Sequence, residues 1–268
     1  MADSPPVRPA ATILTLRDAP GGFEVLMLRR NLNSDFVGGA YVFPGGGVDA
    51  RDASPLAERW TNGLSDAGAS SRLGLASGGL AYYVASVREL FEEAGLLLVC
   101  DGTGKLLTTS EASARSLAKD RRALNAGTLD FFDLLEREGY YVHASALHYM
   151  AHWVTPLGPP RRYDTRFFVA LAPSDQVAAH DEEETVAHQW LRPHEALAAQ
   201  ARGEFEMIFP TISNLAAIAD FASVDEVLHY VDGLQDIPRI EPRLVERDGK
   251  IVPVIGDEEG HVRSDPRS

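Results

Sequence analysis

The chain has 268 residues, 45% of them hydrophobic and 24% charged, with a formal net charge of −14 at pH 7. That hydrophobic content supplies one substantial core with an appended subdomain, and no apolar run is long enough to predict a membrane span. The acidity excludes nucleic acid as an expected partner, because a phosphate backbone would be repelled, yet it leaves room for a small phosphate ligand held by local arginines or a metal ion.

The first ten residues, "MADSPPVRPA", lack the apolar centre of a signal peptide and predict a disordered lead-in over 1–10. The single Cys100 cannot form an intramolecular disulfide, and no Cys/His spacing suits zinc, so a reducing, cytoplasmic setting is the expectation. "ATILTLRD" (11–18) and "FEVLMLRR" (23–30) flank "APGG", a turn signal, and predict a β-hairpin. "AYVFPGGGVD" (40–49) predicts a third short strand running into a glycine-rich loop. Residues 53–78 are rich in Ala, Ser and Gly with weak periodicity, and read as an insertion that tunes substrate access.

"GLAYYVASVRELFEEA" (79–94) predicts a helix, with Gly95 as its left-handed stop and a strand after it at 96–100. Residues 105–140 predict a helical block, where Thr108 and Glu111 have the spacing of a capping box and "TLDFFDLLEREG" forms a second helix ending at Gly139. Strands are expected at 143–156, 162–172 and 186–191, helices at 193–203 and 209–231, and a late hairpin around Asp248-Gly249, within a C-terminal hairpin and tail over 233–268. Strands and helices in this order predict an α/β domain over 11–232, a mixed sheet covered by helices.

The helix at 79–94 ends in three carboxylates, where the helix dipole favours cations. At roughly 100° per residue, Glu89, Glu92 and Glu93 share one arc, while Leu80, Tyr83, Val84, Val87, Leu90 and Phe91 form the opposite, core-facing stripe. Unit charges about 6 Å apart repel by roughly 3 kcal/mol per pair at an effective dielectric of 20. A solvated acidic face is one reading. The other is a site for a hard divalent cation, Mg²⁺ or Mn²⁺, which carboxylate oxygens suit and which also draws substrate phosphates into its shell.

Upstream, Phe43-Pro44-Gly45-Gly46 is a turn whose backbone can approach a ligand closely. Gly46, five residues, Asp52, and then Arg88-Glu89-Leu90-Phe91-Glu92-Glu93-Ala94-Gly95-Leu96 resemble the Nudix box, in which Gly and an acid precede Arg-Glu-apolar-x-Glu-Glu-x-Gly-apolar. The departure is that 35 residues separate Asp52 from Arg88, where the box has seven, which puts the alignment of Asp52 in doubt. An interrupted box, together with "GGAYVFPGGGVD", "HWVTP" and "RRYDTRFF", is similar to the branch of Nudix hydrolases that includes the peroxisomal coenzyme A diphosphatases of animals.

That resemblance implies a Nudix-type α/β/α sandwich with a mixed β-sheet and helical insertions, and a hydrolase of a nucleoside diphosphate linked to another moiety. It implies Mg²⁺ or Mn²⁺ held by Glu89, Glu92, Glu93 and the carbonyl of Gly45, with Arg88 steadying a glutamate of the cluster. Coenzyme A or acyl-coenzyme A is the expected substrate. ADP-ribose, dinucleotides or damaged nucleotides are the alternative, and a ligand sensor without turnover is a third reading. The general base is expected at Glu184 in "HDEEETV", with Glu182, Glu183 and Glu89 as competitors. Arg30, Arg162 and Arg166 are the expected phosphate-binding cations, Arg162 and Arg166 lying on one side of their strand and Tyr163, Thr165 and Phe167 on the other. No membrane partner is expected, and a homodimer is expected from the family resemblance alone.

Overall fold

The structure is a computed structural model that describes residues 5–32, 38–181, 185–247 and 249–256. In chain order its elements are β1 Val7–Ala19, β2 Gly22–Arg30, β3 Tyr41–Val42, β4 Gly45–Gly47, α1 Leu56–Arg59, β5 Thr61–Asn62, α2 Asp66–Leu73, α3 Leu80–Ala94 and β6 Val99–Cys100. There follow α4 Glu111–Asn125, α5 Phe131–Glu138, β7 Tyr141–His143, β8 His148–Val154, β9 Arg162–Leu171 and β10 Thr185–Leu191. The chain continues with α6 Pro193–Ala201, α7 Phe209–Ile218, α8 Val224–Asp232, β11 Arg239–Ile240, β12 Arg243–Arg247 and β13 Lys250–Val254.

The central sheet runs β10-β2-β1-β9-β8-β11, with β3 joined to β2 and β4 to β1. β1 lies parallel to β9 and antiparallel to β2, so the sheet is mixed. Alternation along its strands builds two cores. Ile13, Leu26, Leu28 and Phe168 face α3, whereas Leu14, Val25, Met27, Phe167 and Val169 face the side that α7 and α8 cover. Because both faces are covered, β1 and β2 read as near-continuous apolar runs instead of alternating ones. The α/β/α sandwich expected from the sequence is therefore present, and among the described residues no helix is long and apolar enough to cross a membrane.

Several local expectations need correction. The strand β1 begins at Val7, inside the expected disordered lead-in, because its first residues pair with β9 from Arg162 onward and the Pro9 carbonyl accepts from the Val48 amide at 3.0 Å. The cap of α4 is Ser110 with Ser113, not Thr108 with Glu111. The helix expected over 209–231 is two helices, since Ser223 caps a new one by accepting from the Glu226 amide at 3.2 Å. The sheet also extends past residue 232, because β11 adds to β8.

The segment 53–78 is folded, not loose. Ala57, Trp60, Ala69 and Leu73 join the core behind α3, and β5 pairs with β7 in a separate sheet of three strands. The residue before α3 is Gly79, which brings no side chain to cap it. The caps come from α2: Asp66 accepts from the amides of Gly78 (2.9 Å) and Leu80 (3.0 Å), and the Ser70 hydroxyl from that of Gly79 (2.9 Å). Those are orphan donors that a helix start must satisfy somewhere. The insertion thus fixes the start of the helix that carries the carboxylates.

Candidate active site

α3 rests its apolar stripe on β1 and β4 and stops at Gly95, whose φ of 70° closes the left-handed turn. Its last turn faces β4, which is bonded antiparallel to β1 at Ala10, Ala11 and Thr12. Glycine is required at Gly45 by close approach to the β1 backbone, while Gly46 is held close to a side chain. A Cβ on Gly45 would lie 2.5 Å from the Ala11 carbonyl oxygen, and one on Gly46 2.5 Å from Glu89 Oε1.

Arg88 is the hub of the cluster. Its Nη1 donates to Glu89 (2.9 Å) and Glu92 (3.0 Å), and its Nη2 to the Gly47 carbonyl (2.9 Å). Its Nε and Nη2 donate to the two oxygens of Asp52, at 3.1 and 2.8 Å. Asp52 is 2% exposed and also accepts from the Asp49 amide at 2.8 Å. The 35 intervening residues therefore leave the Asp52–Arg88 relationship intact. Arg88 orients carboxylates and is in that sense a positioning residue.

Glu93 is buried and turned toward the glycine loop, where Oε2 accepts from the Gly45 amide at 2.9 Å. It is thus the N–H of Gly45, the residue expected to offer its carbonyl, that meets a carboxylate here. Burial pushes the Glu89 carboxyl up to about 7 against the opposing charge of Arg88, and burial raises Glu92 too. The helix end itself is met by α4, whose Arg121 and Asn125 donate to the Glu92 carbonyl at 2.9 and 3.2 Å. Arg121 thus brings a cation to the negative end of α3. No local spacing in the sequence pointed to it, since it is 29 residues away.

Among the described residues, no group of three acidic, histidine or cysteine side chains is gathered for a metal ion. The reason lies in the hydrogen bonds: Glu89 and Glu92 bond to Arg88, and Glu93 to the Gly45 amide. The donor set nevertheless fits a hard divalent cation. It is all oxygen, it projects from one helix turn, and the Glu89 carboxylate packs so close to Gly46 that a Cβ there would overlap it.

A cleft of about 970 Å³ opens over this turn. Glu89, Glu92, Gly45, Gly46, Gly47 and Arg30 line one part of it, and Trp153, Pro156, Phe167 and Phe209 line another. Arg161 and Tyr163 also line it, but Arg162 and Arg166 do not. Alternation did separate these residues correctly, yet the face that opens to the cleft is that of Tyr163, Thr165 and Phe167. Arg162 and Arg166 are buried on the other face, where Arg162 donates to Glu241 and the Thr155 carbonyl, and Arg166 to Asp164 at 3.0 Å. Their expected role as phosphate ligands is not met by this geometry. Arg30 and Arg161 are the cations placed for it. No residue of 53–78 lines this cleft, and the structure shows the insertion in contact with α3. Glu184, Glu182 and Glu183 lie outside the described residues.

Comparison with known proteins places this geometry. The NUDT19 Nudix domain model matches residues 75–218, which begin just before α3. The chain is 30% identical to the acyl-coenzyme A diphosphatase NUDT19 of Gallus gallus, over 94% of this chain and 79% of that protein. It is 28% identical to the Homo sapiens protein of the same name, over 94% of this chain and 76% of the other. A crystal structure of a NUDIX hydrolase from Alicyclobacillus acidocaldarius superposes with a TM-score of 0.66 at 28% identity, covering 84% of this chain and 96% of that one. With a family match over more than half its length, and with the carboxylate turn of α3 held against a glycine loop, the chain belongs to the NUDT19 family of Nudix hydrolases.

Proposed function

We propose that the protein is a Mg²⁺- or Mn²⁺-dependent diphosphatase of coenzyme A and its acyl esters, yielding adenosine 3′,5′-bisphosphate and (acyl-)4′-phosphopantetheine. One observation carries the reading: a single cleft joins the carboxylate turn and Arg30 to an apolar part lined by Trp153, Phe167 and Phe209. A diphosphate suits the first and a pantetheine arm or acyl chain the second. The curated relatives named acyl-coenzyme A diphosphatase support the same substrate.

The reaction is attack of water on one phosphorus of the diphosphate, with cleavage of its bond to the bridging oxygen. One product gains the oxygen of water and the other keeps the bridging oxygen. A divalent cation would neutralise the diphosphate and lower the pKa of the attacking water. Glu89, Glu92 and Glu93 would hold it, and Arg88 fixes the rotamers of the first two through Nη1. Arg30 lines the cleft as a charge-assisted donor for a phosphate oxygen. The water's proton passes to a carboxylate, for which Glu184 is proposed and Glu89 is the alternative.

The test is turnover of coenzyme A, a long-chain acyl-coenzyme A, dephospho-coenzyme A and ADP-ribose with Mg²⁺ or Mn²⁺, with products identified by mass. Adenosine 3′,5′-bisphosphate from the first two, and none without the cation, supports the reading. Faster cleavage of ADP-ribose than of either would replace the substrate, and binding without cleavage of any would make the domain a sensor.

A further inference from the structure

The hairpin β12–β13 is a two-stranded sheet that joins the main sheet at no point among the described residues. It nevertheless contributes to the cleft. Leu244 and Pro253 are directly opposite each other across the hairpin, and both line the cleft, as does Pro242 just before it. The facing wall is the turn between β8 and β9, with Pro156 and Pro159. Leu244 packs over that turn closely enough that a Cβ on Gly158 would meet its Cδ1 at 3.3 Å. Leu244 is 38% exposed, an apolar side chain left partly open in an acidic protein.

The root of the hairpin is fixed by charge. Glu241, three residues before Leu244, accepts from Arg162 through one oxygen and from Arg239 through the other at 2.6 Å. Arg162 is 6% exposed and also donates to the Thr155 carbonyl at 3.1 Å, so the pair ties the hairpin to the start of β9 and to the same β8–β9 turn. Arg162 is buried, so losing Glu241 would leave its charge less compensated, whereas Glu241 is part exposed and keeps Arg239.

We propose that the hairpin β12–β13 is the selecting wall for the apolar arm of the substrate, that Leu244 meets that arm, and that Arg162 positions the wall through Glu241. The inference rests on the acyl-coenzyme A reading above and deepens it. Leu244, Pro253, Pro242, Pro156 and Pro159 suit an apolar arm, while Arg161, two residues beyond Pro159, lines the same cleft as a cation for phosphate. The arm must belong to the same molecule as the diphosphate, because this wall and the carboxylate turn share one cleft. On this account Leu244 and Glu241, which lie beyond the span matched by the family model, act together with Arg162, which lies within it.

The experiment compares kcat/KM on coenzyme A and on saturated acyl-coenzyme A esters of increasing length, for wild type and Leu244→Arg. A charge placed on the wall should lower kcat/KM on the longest ester about tenfold more than on coenzyme A, which equals about 1.4 kcal/mol, the burial of about two methylenes. Leu244 is exposed enough for the variant to fold, and a melting curve checks that it does. Arg162→Ala, Glu241→Ala and the double variant should shift the same chain-length ratio, with the double variant no worse than the worse single one, because both act through one ion pair. A purely structural loss would instead reduce all substrates alike. If wild type cleaves coenzyme A and its esters but Leu244→Arg lowers them equally, the inference falls and the functional reading stands. If wild type cleaves neither, both fall.

Discussion

Arg88 and Asp52 meet through two hydrogen bonds, Nε to Oδ1 at 3.1 Å and Nη2 to Oδ2 at 2.8 Å, although 36 positions separate them and a folded insertion lies between. Both are buried, and burial holds the Asp52 carboxyl above its ordinary range in spite of the Arg88 charge. Arg88→Ala is expected to cost about 3–5 kcal/mol, since it strands a buried carboxylate and frees Glu89 and Glu92 to repel. The double variant Arg88→Ala/Asp52→Ala should recover part of that loss. Urea unfolding of the two single variants and the double gives the coupling, and simple additivity would show that the pair is not a unit.

Asp66 caps α3 from the insertion, accepting from Gly78 and Leu80, and these amides hold its carboxyl below its ordinary value. Asp66→Ala should destabilise the protein by about 1 kcal/mol, the usual size of a lost cap. A lowered carboxylate pKa contributes stability above the unfolded value near 3.8 and loses it as pH falls through the folded one. The difference between wild type and variant should therefore be largest at neutral pH and shrink in acid. Replacement of 53–78 by a short linker should lower the melting temperature; unchanged melting would mean the insertion does not support α3.

Glu93→Gln keeps an acceptor for the Gly45 amide, so the fold should survive. Turnover at fixed Mg²⁺ is expected to fall by about 100-fold or more through the loss of a carboxylate from the cation site. Calorimetric titration with Mn²⁺ supplies a second readout, and retention of wild-type turnover and affinity would remove Glu93 from the site.

The folded-state value of Glu89, about 7, lies above the unfolded value near 4.5. Between those values the folded protein holds a proton that the unfolded chain has released, so stability falls as pH rises through that window. With divalent cations chelated, wild type should lose stability relative to Glu89→Gln from about pH 4.5 to about pH 7, and the gap should then level off. A gap that widens instead toward acid pH would reverse the assignment.

Arg30 lines the cleft beside the glycine loop, and its Nε is a buried donor with no protein acceptor among the described residues. Arg30→Met keeps much of the stem and removes the charge. The expected result is a loss of about tenfold to 100-fold in kcat/KM on the diphosphate substrate, the worth of one charge-assisted hydrogen bond. Steady-state kinetics with no change would assign Arg30 to solubility.

The carboxylate turn was legible in the sequence because helical periodicity is local: the spacing of Glu89, Glu92 and Glu93 sets their common face wherever the helix lies. The arginines were not legible in the same way. Strand alternation put Arg162 and Arg166 together, but only the layers packed on β9 decided that Arg166 turns toward α2, where it donates to the Leu73 carbonyl, and that the face of Tyr163 turns toward the cleft. Likewise, Asp66 reads as one polar residue in a bland insertion until α2 packs on α3, and Leu244 as part of a tail hairpin until that hairpin stands over the β8–β9 turn. A period of two or of 3.6 says which residues share a side; which side meets the substrate is a property of contacts between segments far apart in the chain, and those exist only in the folded molecule.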